Sequence, residues 1–181
     1  VLPEDREEDS GDAPDVTISY SDDADAAWLR KGNRAYYGYK IHAATDSRDG
    51  FVLGGHATPA NRSDTEEFVS VLDAVGARSG ESIYADKGYS RQLNRYVLQV
   101  RGLSDGTMHK AARNRELTLA EKAANRLISS VRSKVERAFG TLKRGYGFFR
   151  ARYLGLAKVE LEFLLNARAF NLKKAVLKVG C

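Results

Sequence analysis

Two stretches of the sequence hold side chains that could do chemistry together. In the first, the apolar run ESIYAD at 81–86 ends abruptly in Asp86-Lys87-Gly88. The glycine breaks the strand which that run predicts, so Asp86 is expected at a strand's C-terminal end. In the second, Arg132, Glu136 and Lys143 stand at i, i+4 and i+11 of a helical segment. At about 100° per residue they fall within roughly 40° of one another and form one polar stripe, with Val135 and Phe139 just beside it. Each stretch alone has an ordinary reading. An aspartate before Lys-Gly is commonly a turn or cap residue, and an Arg–Glu pair at i, i+4 commonly lies on a solvated helix face. Taken together they fit another chemistry. Phosphodiester cleavage by two metals needs acidic oxygens around Mg²⁺ ions about 3.5 to 4 Å apart. Magnesium prefers oxygen ligands and retains waters, so two or three carboxylates suffice. Neighbouring Arg and Lys can then hold phosphates.

The elements that must position these groups can be read from periodicity. Tyr37, Tyr39, Ile41 and Ala43 alternate with Gly38, Lys40 and His42, the pattern of a half-buried strand. A turn at Ser47-Arg48-Asp49-Gly50 leads into a returning strand over 51–58. Ser63 and Asp64 precede Glu66 and Glu67 at capping-box spacing, and Phe68, Val71, Leu72 and Val75 follow, which predicts a helix of about three turns. A further amphipathic helix follows Ser90, after which Gly102 and Gly106 interrupt the chain. Thr118 and Glu121 form another capping box, opening a helix of some 25 residues with Leu127, Val131, Val135, Phe139 and Leu142 on its apolar face. A last helix is expected from about Lys158 to Val179. Strands come first, strand and helix then alternate, and helices finish the chain. The expected architecture is α/β, a mixed sheet flanked by helices with a long C-terminal helical portion.

The 181 residues, 43% apolar, suffice for one domain with a core. Residues 1–21 read as an acidic, disordered leader and 22–181 as the folded domain. The net charge of +5 is unevenly spread: residues 1–30 carry ten acids and two bases, and the remainder 27 bases against 14 acids. A basic body suits a polyanionic partner, though a generically basic surface would have the same composition. The one cysteine, Cys181, excludes a disulfide framework and a cysteine-rich zinc site. No apolar run approaches the roughly 20 residues of a membrane span, so no membrane partner and a cytoplasmic location are expected.

The segments YYGYKIHAATDSRDGFV at 36–52, TPANRSD at 58–64, YADKGY at 84–89 and RSKVERAFGTLKRGYGFFRARYLGL at 132–156 resemble the DDE transposases of bacterial insertion sequences, which have an RNase H-like catalytic core. The resemblance extends from about Asp22 to the end. It implies a DNA transposase catalytic domain that cleaves and strand-transfers insertion-sequence DNA with Mg²⁺ or Mn²⁺. Double-stranded DNA, as element ends and target, would be the partner, in a homodimeric complex at the nucleoid. Asp86 matches the family's second catalytic acid. Glu136 matches the third, within a Y-x2-R-x3-E-x6-K signature whose R and K are Arg132 and Lys143. Both acids would bind metal, while Arg132, Lys143, Lys87 and Arg144 would contact DNA. Ser129 stands where the signature has tyrosine.

The family's first catalytic aspartate lies on a strand upstream of the DADAAW-like segment, here 23–28, and no such strand is evident before it. A domain lacking its first strand is therefore expected. A catalytically incomplete DNA-binding remnant, or a simple metal-dependent nuclease, is the alternative function. Asp46 is a weaker candidate for the first acid and fits the hairpin turn better. His42 and His56 could face each other across the hairpin, as a metal pair or as residues of an exposed strand face. The run Arg144, Tyr146, Phe148, Phe149, Arg150, Arg152, Tyr153 could line a DNA channel, with core packing claiming about half of its aromatics. His109, Lys110, Arg113 and Arg115 read as a mobile basic loop.

Overall fold

The computed structural model describes residues 22–180; the acidic leader expected at 1–21 lies outside them. The predicted hairpin forms from strands β2 (Arg34–Thr45) and β3 (Val52–Pro59), paired antiparallel with His42 opposite His56. Gly50, at φ +74°, supplies the left-handed position of its turn. An additional strand, β1 (Ala27–Lys31), pairs antiparallel with the first half of β2, Lys31 opposite Arg34, so Gly32-Asn33 is a two-residue turn.

Helix α1 (Phe68–Val75) has two turns rather than three. The expected capping box at 63–67 does not form. Residues 63–67 make a separate turn, Glu66 and Glu67 N–H donating to the Ser63 carbonyl, and Glu67 precedes the helix with no side-chain cap. Strand β4 (Ser82–Ala85) and helix α2 (Gln92–Val100) follow as expected. Strand β5 (Ser104–Thr107) was not expected, because Ser-Asp-Gly-Thr has no strand propensity of its own. Its pairing comes from outside: α2 is the crossover that returns the chain parallel to β4, Ser82 opposite Ser104 and Ala85 opposite Thr107.

Helix α3 (Leu119–Gly145) opens on the predicted capping box, Thr118 and Glu121 each bonding the other's backbone N–H. Its buried residues are Ile128, Ala138 and Leu142, whereas Leu127, expected on the apolar face, is exposed. Helix α4 (Leu156–Val179) buries Val159, Phe163, Ala167 and Phe170 at helical intervals. It is stitched to the first sheet by hydrogen bonds distant in sequence. The Ala57 N–H donates to Glu160 at 3.1 Å, and the Asn171 amide bonds both N and O of Val52. Asp25 accepts from Leu156 N–H at 2.9 Å, satisfying an orphan donor at the helix start. The Tyr39 hydroxyl accepts from Gly155 N–H at 2.9 Å and donates to the Asp23 carboxylate at 2.6 Å. Burial and that bond to Asp23 push the phenol up to about 12.

The fold is thus α/β, with sheets flanked by helices and a long helical C-terminal part, as expected, and its strands lie in two sheets. An antiparallel sheet in the order β1-β2-β3 and a parallel pair β4-β5 stand apart. Each has its own core. Val52, Ala138, Leu142, Phe163, Ala167 and Phe170 form one, and Phe68, Leu72, Ala85, Leu98 and Leu103 the other. Between them lies a cavity of about 840 Å³ lined by Ala43, Ala44 and Thr45 of β2, by Ser82 to Ala85 of β4, and by α1 and α3. Consecutive rather than alternate strand residues line it, so both strands present an edge to it. Among the described residues, neither of those edges has a strand partner.

Candidate active site

Asp86 lies where the sequence placed it, immediately after β4, in extended conformation. Its turn reading holds too: the carboxylate Oδ1 accepts from Gly88 N–H and caps the single 3-10 turn Lys87–Tyr89. Oδ2 is left facing α3. There the Arg132 guanidinium Nη2 sits 3.5 Å from Asp86 Oδ2 and 4.0 Å from Glu136 Oε1. Two oxygens that meet one nitrogen at those distances are no more than about 7.5 Å apart. Arg132 is itself positioned, since its Nη1 lies 3.3 Å from the sulfur of Met108, and Met108 N–H donates to the Ala85 carbonyl.

Exposure grades the three. The Arg132 side chain is 21% exposed, that of Asp86 42% and that of Glu136 70%. Glu136 is therefore largely solvated, and its contact with Arg132 alone has the character of a surface ion pair contributing about 0.5 kcal/mol. Val131, Val135 and Phe139 face the cavity together with Arg132 and Asp86.

Lys143 is not brought to this group. It lines a second cavity, of about 1020 Å³, with Trp28, Tyr36, Phe149, Arg150 and Tyr153. Phe139 borders both cavities, so they adjoin on one side of α3. Lys87 and Arg144 are exposed, on the turn after β4 and in the last turn of α3 respectively, and Ser129 is exposed on α3. The aromatic and basic run divides. Tyr146 and Phe148 pack against the core, while Phe149 and Tyr153 are exposed. Arg152 is committed to the buried Glu162, 3.6 Å away.

Three further readings meet the structure. Asp46 belongs to the hairpin turn, where its carboxylate accepts from the N–H groups of Arg48, Asp49 and Phe51 at 2.6 to 2.8 Å. The histidines are stacked, ring centroids 5.4 Å apart, but not on an exposed face: His42 is 1% exposed and bonded to Thr58, and His56 is bonded to Glu67. Burial lowers the His42 pKa. The segment 109–115 is held at both ends. His109 exchanges two hydrogen bonds with Asn125, and Arg115 pairs with Glu121 of the capping box.

Sequence reasoning treated Asp64 as a helix cap and missed its neighbourhood. The carboxylate caps nothing in α1; Oδ1 lies 3.3 Å from Lys40 Nζ and 3.7 Å from His42 Nδ1. It lines the same cavity as Asp86. Tyr89 registers the combined field: burial first, then the charges of Asp64 and Asp86, push its phenol up to about 12 against the opposing effect of Arg132. The TPANRSD motif was the available signal, since a carboxylate that a helix does not need as a cap is available for another role.

Residues 10–172 match the family model described as Transposase DDE domain. The chain is 42% identical over 160 residues to the "Transposase for insertion sequence element IS1106" of Neisseria meningitidis serogroup B, covering 88% of this chain and 54% of that protein. It thus spans about half the length of the curated relative it matches. No solved structure matches. With the family match running through the Asp86 turn, α3 and most of α4, the chain belongs to the DDE-domain transposases.

Proposed function

We propose that this chain is the catalytic part of a metal-dependent DNA transposase, cleaving insertion-sequence DNA at element ends and joining it to a target. The observation that carries the reading is the Asp86–Arg132–Glu136 bridge. It unites a strand-end carboxylate that lines the cavity with a helix carboxylate through an arginine that lines it too. The donor set fits a hard dication in that both acids offer oxygen. Asp86 and Glu136 would hold Mg²⁺ or Mn²⁺, which when bound supplies Lewis-acid stabilisation to the reacting phosphate and its attacking oxygen. Arg132 orients the two carboxylates. Lys143 and Arg150 of the second cavity, with the exposed Lys87 and Arg144, would contact duplex phosphates, and Phe149 and Tyr153 offer faces for stacking. The element's DNA, the target DNA and a second copy of the chain are the partners. The described residues include no helix long and apolar enough to cross a membrane.

Two acids bind a pair of metals weakly, and the described residues contain no group of three His, Cys, Asp or Glu side chains close enough to hold an ion. What supports a further element is the cavity between two unpartnered strand edges. A strand from outside the described residues, inserted between β2 and β4, would satisfy both edges and bring its own acid beside Asp86. The same opening favours the second reading, in which this chain by itself is a catalytically incomplete DNA-binding remnant.

One experiment separates the readings. The chain, an upstream-extended protein and its Glu136→Gln variant are compared on DNA carrying the element's ends, in Mg²⁺ and in chelator. The expected result is cleavage by the extended protein alone. Equal cleavage by the Glu136→Gln variant would remove Glu136 from the site. Robust cleavage by the unextended chain would end the inserted-strand argument.

A further inference from the structure

The turn at 63–67 is fastened to the Asp86 turn at several points. Thr65 Oγ1 donates to the Gly88 carbonyl at 2.7 Å. The buried Asn94 of α2 clamps both turns, its Nδ2 donating to the carbonyls of Thr65 and Tyr89, each at 3.1 Å. Asp64 is thereby held against Gly88. A Cβ built on Gly88 would stand 2.8 Å from Asp86 Oδ1 and 4.0 Å from Asp64 Oδ2. The two carboxylate oxygens therefore lie within about 6.8 Å of each other, across a gap that only a glycine leaves empty.

The two oxygens of Asp64 are differently placed. Oδ1 faces Lys40 Nζ at 3.3 Å and His42 Nδ1 at 3.7 Å, while Oδ2 faces Gly88. His42 gives an independent sign. It is 1% exposed, its Nε2 is occupied by Thr58 at 3.0 Å, and its buried Nδ1 has no hydrogen-bond partner yet points at Asp64. The tautomer with the proton on Nδ1 lets the Thr58 hydroxyl donate to Nε2 and turns Nδ1–H toward the carboxylate. A buried donor aimed at an acid orients it, as the outer contacts of metal-ligating carboxylates do.

We propose that Asp64 is a further carboxylate of the metal site, reaching through a retained water an ion that Asp86 holds directly across the Gly88 gap, since no three acids among the described residues lie close enough to touch one ion. Lys40 and His42 fix one of its oxygens so that the other is presented to the ion. This rests on the reading that Asp86 and Glu136 bind metal. The gap suits an ion with retained waters, because two carboxylates up to about 6.8 Å apart can share a dication through one direct and one water-mediated contact.

The test is Mn²⁺ binding to the full 181-residue chain by calorimetry, with Asp86→Asn, Asp64→Asn, Gly88→Ala and, as control, Asp73→Asn, whose carboxylate pairs with Arg101. Asp86→Asn and Asp64→Asn should each weaken binding about tenfold or more, Gly88→Ala should weaken it with every acid intact, and Asp73→Asn should leave it unchanged. Should Asp64→Asn fail to fold, the wild-type chain loaded with Fe²⁺ and treated with ascorbate and peroxide gives the same answer. Backbone cuts mapped by mass spectrometry are expected near 64 as well as near 86. Unchanged affinity in Asp86→Asn, or no Mn²⁺ binding by wild type at millimolar metal, overturns the underlying reading. Weakening by Asp86→Asn with full affinity in Asp64→Asn, or cuts near 86 without cuts near 64, overturns the role of Asp64 alone.

Discussion

Asn171 and Val52, 119 residues apart in the chain, exchange two hydrogen bonds: Val52 N–H donates to Asn171 Oδ1 at 2.9 Å, and Asn171 Nδ2 donates to the Val52 carbonyl at 2.8 Å. Val52 is buried and opens β3, so its backbone groups have lost water and depend on one amide. Truncating that amide leaves a donor and an acceptor unpaired. Asn171→Ala should cost about 2 kcal/mol or more. Asn166→Ala, which removes only a contact to a carbonyl of its own helix, should cost well under about 1 kcal/mol. Urea unfolding of the two variants checks the difference, and equal midpoints would refute it.

Asp46 gives the fold a dependence on acid. Burial pushes its carboxyl up, but the three backbone N–H groups of Asp49, Phe51 and Arg48 outweigh it and hold the group below the usual carboxylate range. A depressed folded pKa contributes stability above the unfolded value of about 3.9, and that contribution is lost as pH falls through the lower folded value. Asp46→Asn should therefore be destabilised by about 1 to 2 kcal/mol at neutral pH, with the gap to wild type narrowing from about pH 4 downward. Melting temperatures at pH 7 and pH 3 measure it. A constant gap would mean that shape rather than charge closes the turn.

The second cavity makes a prediction about salt. Lys143 and Arg150 line it together with exposed aromatic rings, whereas Lys178 is paired with Asp49 elsewhere. Lys143→Ala and Arg150→Ala should each weaken duplex binding and reduce the slope of log affinity against log salt by about 1. Lys178→Ala should leave the slope unchanged. Wild-type affinity indifferent to salt would count against duplex DNA as the partner.

Arg132 should not tolerate lysine. A guanidinium presents several nitrogens in a fixed plane and here meets Asp86, Glu136 and Met108, whereas an ammonium is a single point of charge. In the upstream-extended protein Arg132→Lys should cut Mg²⁺-dependent cleavage by about tenfold or more while duplex affinity stays close to wild type. Parallel cleavage and binding assays decide it, and a matching fall in both would make Arg132 a general DNA contact instead.

How much of this was legible in the sequence depended on whether the signal was local. The β2–β3 hairpin, the turn after Asp86 and the Thr118–Glu121 capping box are set by residues a few positions apart, and all appear as read. Strand β1 was missed although Lys-Gly-Asn-Arg is a usable turn signal, because its Ala-Trp-Leu-Arg-Lys segment shows no alternation. Strand β5 was illegible for a different reason, its pairing being imposed by β4 rather than by its own side chains. Of the candidate site, Asp86 and Glu136 were picked out through residue type and resemblance. The Arg132 bridge depends on a contact between residues 46 apart, and periodicity cannot supply that. Asp64 was misread because capping-box spacing does not ensure that the helix starts there. The chain makes a separate turn first, and the carboxylate goes to Lys40 and His42.

The stitches between α4 and the first sheet have a consequence during synthesis. They join Ala57 to Glu160, Tyr39 to Gly155, Val52 to Asn171 and Asp25 to Leu156, separations of 103, 116, 119 and 131 residues. A ribosome adding about 5 to 20 residues per second delivers the second partner of each pair roughly 5 to 25 seconds after the first. For that interval the nascent hairpin has emerged while the helix that covers Val52 and satisfies its backbone does not yet exist. Such an uncovered strand is a substrate for chaperones and a template for pairing with a neighbouring nascent chain. The yield of folded protein should therefore be set by the translation rate between β3 and α4 more than by the final stability of either.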